Sequence, residues 1–103
     1  MSAADNKALV TAFYEQAFND YQPEAAAAAH LGESYTQHNP EAQDGPGAFV
    51  GYVHWLRGQF PDLPGDRGMA VADFWRVVDG KIVEHWDVIQ EVPEKSADDN
   101  TMF

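Results

Sequence analysis

The sequence predicts a small α+β domain in which helices come first and a β-hairpin follows. Apolar residues recur at helical spacing in the N-terminal half, whereas two β-prone segments flank Asp79-Gly80, a pair typical of hairpin turns. Helices followed by an antiparallel hairpin are typical of α+β architecture. Because 103 residues is the length of one domain, we expect a single domain over residues 1–103.

The first helix is predicted over about residues 6–19. Ser2 and Asp5 precede it as candidate N-terminal caps. An apolar stripe at spacings of three and four residues is formed by Val10, Phe13, Tyr14, Ala17 and Phe18. We expect this stripe to face the core.

Two further helices are predicted over about residues 23–31 and 46–60. Pro23 suits the first position of the second helix, and Gly32 is a candidate for its C-terminal cap. The third helix is expected to stop before Pro61. Its apolar face is formed by Phe49, Tyr52, Val53, Leu56 and Phe60.

Strands are predicted over about residues 34–38, 69–78 and 81–91, and residues 92–103 are predicted to form an extended tail. Residues 62–68 are rich in glycine and proline and are expected to form a loop.

The composition excludes several classes of function. There are 17 Asp and Glu residues against 6 Lys and Arg, and such a surface repels nucleic-acid phosphates and anionic membranes. The chain has no cysteine, which excludes disulfides, thiolate catalysis and Cys-ligated metals. The N-terminus lacks the pattern of a signal peptide and no apolar run is long enough to span a membrane, so we expect a cytoplasmic protein.

Two registers of the hairpin are compatible with the sequence. A two-residue loop would place Asp73 opposite Trp86, whereas a three-residue loop with Gly80 in a left-handed bulge position would place Asp73 opposite His85. We favour the three-residue loop. In this register, one face of the hairpin holds Asp73, His85 and Asp87 with Val71, Trp75, Val83 and Ile89. Its second face holds Phe74, Arg76, Ile82, Glu84, Trp86 and Val88, with Arg76 near enough to Glu84 for an ion pair.

A carboxylate–imidazole–carboxylate cluster on an apolar face is suited to general acid–base catalysis near neutral pH. The alternative is that His85 and Asp87 are solvated strand residues and that Asp73 lies at the sheet edge. The residues alone leave both interpretations open.

No metal and no other cofactor is predicted. The histidines lack the spacing of a metal site, and His85 and Asp87 offer two ligands without an evident third.

Several segments resemble the SnoaL-like polyketide cyclase family of the nuclear transport factor 2-like superfamily. These are residues 35–40 (YTQHNP), 60–63 (FPDL), 73–87 (DFWRVVDGKIVEHWD), 94–97 (EKSA) and 100–103 (NTMF). Bacterial members described as aldol-condensation-type enzymes are the most similar. The resemblance covers nearly the whole chain.

The resemblance implies a cone in which N-terminal helices pack on a curved antiparallel sheet around a pocket. Asp73 matches the aspartate that moves a proton α to a carbonyl, and His85 is the candidate assisting histidine. The candidate residues for substrate binding are Tyr35, His38, Asn39, Tyr52, Trp55, Trp75 and Asp87. Dimerisation through the sheet is common in this superfamily.

One departure from the family pattern follows Leu63, where this chain is shorter by about two strands. Three strands can hardly close a cone, and exposed strand edges favour association. We therefore expect a homodimer or a higher homo-oligomer, with exchange of elements between chains as one way to form it.

Three functions are compatible with these features, since a fold alone does not fix an activity. The first is a lyase or isomerase acting on a small apolar carbonyl compound, with Asp73 as acid and base. The second is a non-catalytic protein that binds a hydrophobic ligand in an aromatic pocket. The third is an oligomeric scaffold.

Overall fold

The protein is described by a computed structural model that covers residues 2–59 and 69–102. Within these two ranges it contains three α-helices, a π-helical turn and a three-stranded mixed sheet, so the α+β prediction is confirmed. The elements are α1 (Ala3–Tyr14), the π turn (Glu15–Asn19), α2 (Pro23–His30), β1 (Leu31–Gln37), α3 (Pro46–Gln59), β2 (Met69–Val78) and β3 (Lys81–Glu91). None of the helices within the described ranges is long and apolar enough to cross a membrane. The predictions for Phe60, Pro61 and the segment after Leu63 fall outside the described residues.

Helix α1 begins at Ala3, before the predicted start at residue 6, because Ser2 and Asp5 form a capping box. The Ser2 hydroxyl accepts a hydrogen bond from the Asp5 backbone N–H at 3.1 Å, and the Asp5 carboxylate accepts one from the Ser2 N–H at 3.1 Å. These bonds satisfy backbone donors that lack a partner within the helix.

Helix α2 passes directly into β1, and the prediction that Gly32 caps the helix is wrong. Leu31 already has extended backbone angles. The Lys81 side chain instead donates a hydrogen bond to the Ala29 carbonyl at 2.8 Å, near the helix C-terminus. Gly32 lies in the strand, where a Cβ atom would come within 3.0 Å of a Val83 methyl group. A side chain at this position would therefore crowd β3.

The sheet order is β1-β3-β2, with β1 parallel to β3 and β2 antiparallel to β3. The prediction of an antiparallel sheet is therefore wrong for β1. A parallel neighbour requires a long crossover connection, and α3 together with β2 lies between β1 and β3 in the chain. The parallel pairing places Gln37 opposite His85.

The β2–β3 hairpin turns through two residues, and the predicted three-residue loop is wrong. Val78 pairs with Lys81, and Asp79 and Gly80 have φ values of 50° and 77°. Two positive φ values match a type I′ turn, whose twist suits the flanking strands.

A β-bulge lies further along the hairpin. Arg76 pairs with Glu84 and Val77 with Ile82, so Val83 is the extra residue of β3. The bulge shifts the pairing by one residue, so that Trp75 lies opposite His85 and Asp73 opposite Asp87. Asp73, His85 and Asp87 thus share a face as predicted, with different partners opposite them.

The helices cover the face of the sheet that carries Trp75 and Val77, and the core lies between them. The buried residues of this core are Phe13, Ala17, Ala26, Ala27, Leu31, Tyr35, Phe49, Val53 and Ile82. Ile82 was predicted on the opposite face, and the bulge explains its inward position.

The other face of the hairpin, which we call the outer face, exposes Phe74, Val78, Trp86 and Val88. The predicted ion pair is confirmed on this face, because Arg76 Nε donates to Glu84 Oε1 at 2.7 Å.

Candidate functional site

Asp73, His85 and Asp87 meet on the core face of the hairpin. His85 Nε2 lies 2.7 Å from Asp73 Oδ1 and 3.9 Å from Asp87 Oδ2. The side chains are 8% exposed for His85, 21% for Asp73 and 10% for Asp87. The cluster is therefore shielded from water and still partly open at Asp73.

Gln37 fixes which nitrogen of His85 carries a hydrogen. Gln37 Oε1 accepts a hydrogen bond from the Asn39 backbone N–H at 3.0 Å and lies 2.7 Å from His85 Nδ1. Because a backbone N–H can only donate, the atom that it meets is the amide oxygen, and His85 Nδ1 must donate to the same oxygen.

One proton then lies between His85 Nε2 and Asp73. With Nδ1 already protonated, Nε2 and Oδ1 at 2.7 Å cannot both be bare, because their lone pairs would repel. Either His85 is an imidazolium beside the Asp73 carboxylate, or a neutral His85 accepts from a protonated Asp73. A move of one proton along this contact interconverts the two states, which is the property that acid–base catalysis needs.

Asn39 orients Asp87. Its side-chain Nδ2 donates to Asp87 Oδ2 at 2.9 Å, and its Oδ1 accepts from the Glu41 backbone N–H at 2.8 Å. The same residue accepts a hydrogen bond from the Ala42 N–H through its backbone carbonyl at 3.1 Å. The turn after β1 therefore holds this buried amide in one orientation.

Aromatic side chains lie near the cluster. The Trp75 ring centroid lies 4.2 Å from that of His85. Burial, followed by the negative charges of Asp73 and Asp87, raises the pKa of Tyr14 above its ordinary value. Burial likewise raises the pKa of Tyr35 and of Tyr52. The three hydroxyl groups therefore stay neutral and can donate hydrogen bonds at neutral pH.

These tyrosines provide a pH prediction. In the unfolded chain a tyrosine loses its proton near its ordinary pKa of 10.0, whereas Tyr14, Tyr35 and Tyr52 hold theirs to higher pH in the fold. Their stabilising contribution is complete below pH 10.0 and is lost as the pH rises through the folded-state values. The tyrosinate absorbance of the native protein should rise at higher pH than that of the urea-unfolded chain. Coincident titration curves would contradict the raised pKa values of these tyrosines.

Two predicted substrate-binding residues lie away from the cluster. The His38 ring stacks on Trp86 with a centroid distance of 4.7 Å, and its Nε2 lies 2.7 Å from Glu84 Oε2. The hydrogen bond from His38, followed by that from Arg76, lowers the pKa of Glu84. Trp55 is 49% exposed on α3, where its ring contacts that of Tyr52. The other residues predicted for the site, Tyr35, Asn39, Tyr52, Trp75, His85 and Asp87, lie at or near Asp73.

Gln37 and Tyr14 are site residues that the sequence analysis did not select. Alternation along β1 places Gln37 on the same side as Tyr35, and this pattern could have revealed it. Tyr14 was assigned only to the apolar stripe of α1. Its polar end could be placed near the carboxylates only once the packing of α1 was known.

Asp73 supplies a third ligand group beside His85 and Asp87, which the metal prediction had not counted. The ligand atoms of Asp73, His85 and Asp87 all lie within 4.8 Å of one another, close enough to hold a metal ion. The two carboxylates come from different strands, and only the hairpin register brings them together.

Comparison of the chain with protein-family models and with curated protein sequences finds no match.

Proposed function

We propose that the protein is a SnoaL-like enzyme that moves a proton at the carbon next to the carbonyl group of a small apolar molecule, as a lyase or isomerase. The observation that carries this proposal is the 2.7 Å contact between His85 Nε2 and Asp73 Oδ1, with His85 Nδ1 held as a donor to Gln37. The resemblance to polyketide cyclases of the nuclear transport factor 2-like superfamily supports this function. We propose a shortened cone as the architecture and the cytoplasm as the location.

In the proposed reaction the Asp73 carboxylate accepts a proton from the α-carbon. The electrons of the broken C–H bond form the C=C bond of an enolate, and the carbonyl oxygen gains the negative charge. A neutral tyrosine hydroxyl near the cluster, such as that of Tyr52, can donate a hydrogen bond to this oxygen.

Bond formation then follows an aldol-type course. The enolate carbon attacks a second carbonyl carbon, and the resulting alkoxide takes the proton back from Asp73. As an imidazolium, His85 stabilises the Asp73 carboxylate before Asp73 takes the α-proton and again after Asp73 has returned that proton to the alkoxide. For an isomerase the same proton returns to a different carbon of the enolate.

The test is deuterium exchange at the α-carbon of a panel of small ketones and aldehydes, followed by proton NMR. Exchange needs only the first proton transfer, so it does not require the natural substrate. The panel should include apolar and aromatic carbonyl compounds, because Trp75 packs on His85 and tyrosines lie near the two carboxylates. Exchange no faster than in buffer across the panel would contradict an enzymatic role. Binding without exchange would favour a non-catalytic ligand-binding protein.

We also propose that the protein forms a homodimer through the outer face. Phe74 is 58% exposed and Val88 is 65% exposed, although both lie in the central part of the hairpin. Trp86 lies directly opposite Phe74, and Val88 follows two positions along the same strand, so the three form an exposed apolar group of the kind that marks association sites. The Arg76–Glu84 ion pair on the same face offers opposite charges to a second copy.

Phe74→Glu is expected to convert this dimer to a monomer, because a dimer interface related by a two-fold axis would bury the new charge twice. Sedimentation velocity over a range of concentrations measures the effect. Ala25→Glu is the control, since it adds the same charge at an exposed position of α2. A wild-type protein that stays monomeric at every concentration would contradict the proposed dimer.

A further inference from the structure

We propose that Asp73, His85 and Asp87 also bind one divalent transition-metal ion of the zinc type, through His85 Nε2 and one oxygen of each carboxylate. This inference rests on the geometry of the cluster and is independent of the proposed proton transfer. One histidine and two carboxylates are a donor set that such ions accept.

The separations of the donor atoms match a tetrahedral ion. Zinc–nitrogen and zinc–oxygen bonds of about 2.1 Å place tetrahedral ligands about 3.4 Å apart. The contacts of His85 Nε2, 2.7 Å to Asp73 and 3.9 Å to Asp87, lie on either side of this value. All three atoms lie within 4.8 Å of one another, so small movements of the side chains would bring them to the required spacing.

Side chains next to the cluster hold His85 and Asp87 in fixed orientations, as the hydrogen-bond partners of metal ligands commonly do. A metal-binding histidine normally donates its second ring N–H to a carbonyl or carboxylate, and His85 Nδ1 has this contact with Gln37 Oε1 at 2.7 Å. The Nε2 lone pair is thereby directed towards the two aspartates. Asp87 is held in the same way by the Asn39 amide at 2.9 Å. Neither outer contact would break when an ion binds.

The charges and the burial also favour a cation. Within residues 2–59 and 69–102, no lysine or arginine forms an ion pair with Asp73 or Asp87. Asp87 is nine-tenths buried, and Asn39 is the only side chain of these ranges that donates a hydrogen bond to it. A single shared proton leaves the three groups with a net negative charge, whereas a divalent ion with a neutral His85 balances both carboxylates.

The ion and the shared proton exclude one another. Coordination uses the Nε2 lone pair and an Asp73 oxygen, which are the two atoms that hold the proton. A bound ion should therefore release that proton and block proton transfer at Asp73. Zinc would act on the proposed enzyme as an inhibitor that competes with protonation of the pair.

The experiment titrates the chelator-treated full chain with Zn²⁺ by calorimetry, without any substrate, and records the absorption spectrum with Co²⁺. We expect one ion per chain with a micromolar dissociation constant, and the intense visible bands of four-coordinate Co²⁺. Asp87→Asn and His85→Gln should each weaken binding by at least about tenfold, since each removes one ligand. Asp79→Asn is the matched control, because it makes the same chemical change in the turn and should bind as the wild type does.

Thermal unfolding of the metal-free variants shows whether each is folded before titration. Unchanged affinity in folded Asp87→Asn would overturn the site, as would a stoichiometry well below one ion per chain. Octahedral Co²⁺ bands that are still present in both variants would indicate an ion held by surface groups such as His54 and Glu24. This result would also overturn the proposed site. These measurements need no turnover, whereas the proposed function is tested by deuterium exchange. The metal site can therefore be disproved without disproving the function, and the function without disproving the metal site.

Discussion

Replacement of Asp73 by asparagine is expected to slow α-proton exchange by about a hundredfold to ten-thousandfold, the usual contribution of a general acid or base. Asparagine has the shape of aspartate but no basic oxygen, so it cannot accept the proton of a C–H bond. The amide oxygen can still accept a hydrogen bond from His85 Nε2, which should preserve the 2.7 Å contact and the fold. The measurement is the exchange rate by proton NMR for any compound that the wild type accelerates.

Asp79→Asn is the control for this experiment. It removes one carboxylate from the same hairpin, and asparagine tolerates the positive φ of 50° found at this turn position. Its exchange rate should equal that of the wild type. An Asp73→Asn variant that is folded and as fast as this control would remove Asp73 from the mechanism, whereas retained ligand binding with lost exchange would support its role as the base.

Phe13→Ala is expected to lower the free energy of unfolding by about 3–5 kcal/mol, the range measured for large-to-small changes at buried aromatic positions. Phe13 is 0% exposed, and its ring centroid lies 5.0 Å from that of Phe49 and 5.6 Å from that of Trp75. The substitution leaves a cavity between α1, α3 and the sheet and removes the edge-to-face contact with Trp75. Since Trp75 packs on His85, the cavity should also loosen the candidate site.

Denaturant unfolding followed by tryptophan fluorescence measures this loss. Phe74→Ala is the matched control, because it removes the same side chain from a position that is 58% exposed. At concentrations at which the chain is monomeric, this control should change stability by no more than about 0.5 kcal/mol. Equal losses for the two variants would show that Phe13 is not the centre of the core.

The local signals of the sequence predicted the elements well, because they depend on residues that are close in the chain. Ser2 and Asp5 do form the cap of α1, and Phe13 and Ala17 of the apolar stripe are buried. Asp79-Gly80 does form the hairpin turn, as a two-residue loop and not as the three-residue loop that we favoured. In each case the reason is short-range: a hydrogen bond, a spacing of four residues, or a positive φ.

What the sequence could not predict depends on contacts between distant segments. The bulge at Val83 has no local marker, and it decides that Ile82 faces the core and that Asp73 lies opposite Asp87. The parallel pairing of β1 with β3 is also non-local, and it alone places Gln37 against His85.

His38 shows the limit of assigning roles by motif. It lies directly between Gln37 and Asn39, which both contact the cluster, but its own ring stacks on Trp86 on the outer face. Alternation of side chains along an extended segment explains this, since neighbours point to opposite faces.

Nitrogen-15 NMR of the His85 ring at neutral pH tests the central claim most directly, because it reports which ring nitrogens carry a proton. The hydrogen bond to Gln37 predicts a protonated Nδ1, with Nε2 either protonated as well or accepting from Asp73. A neutral ring with a bare Nδ1 and a proton on Nε2 would contradict the account, since Gln37 would then not be the acceptor that directs the shared proton to Asp73.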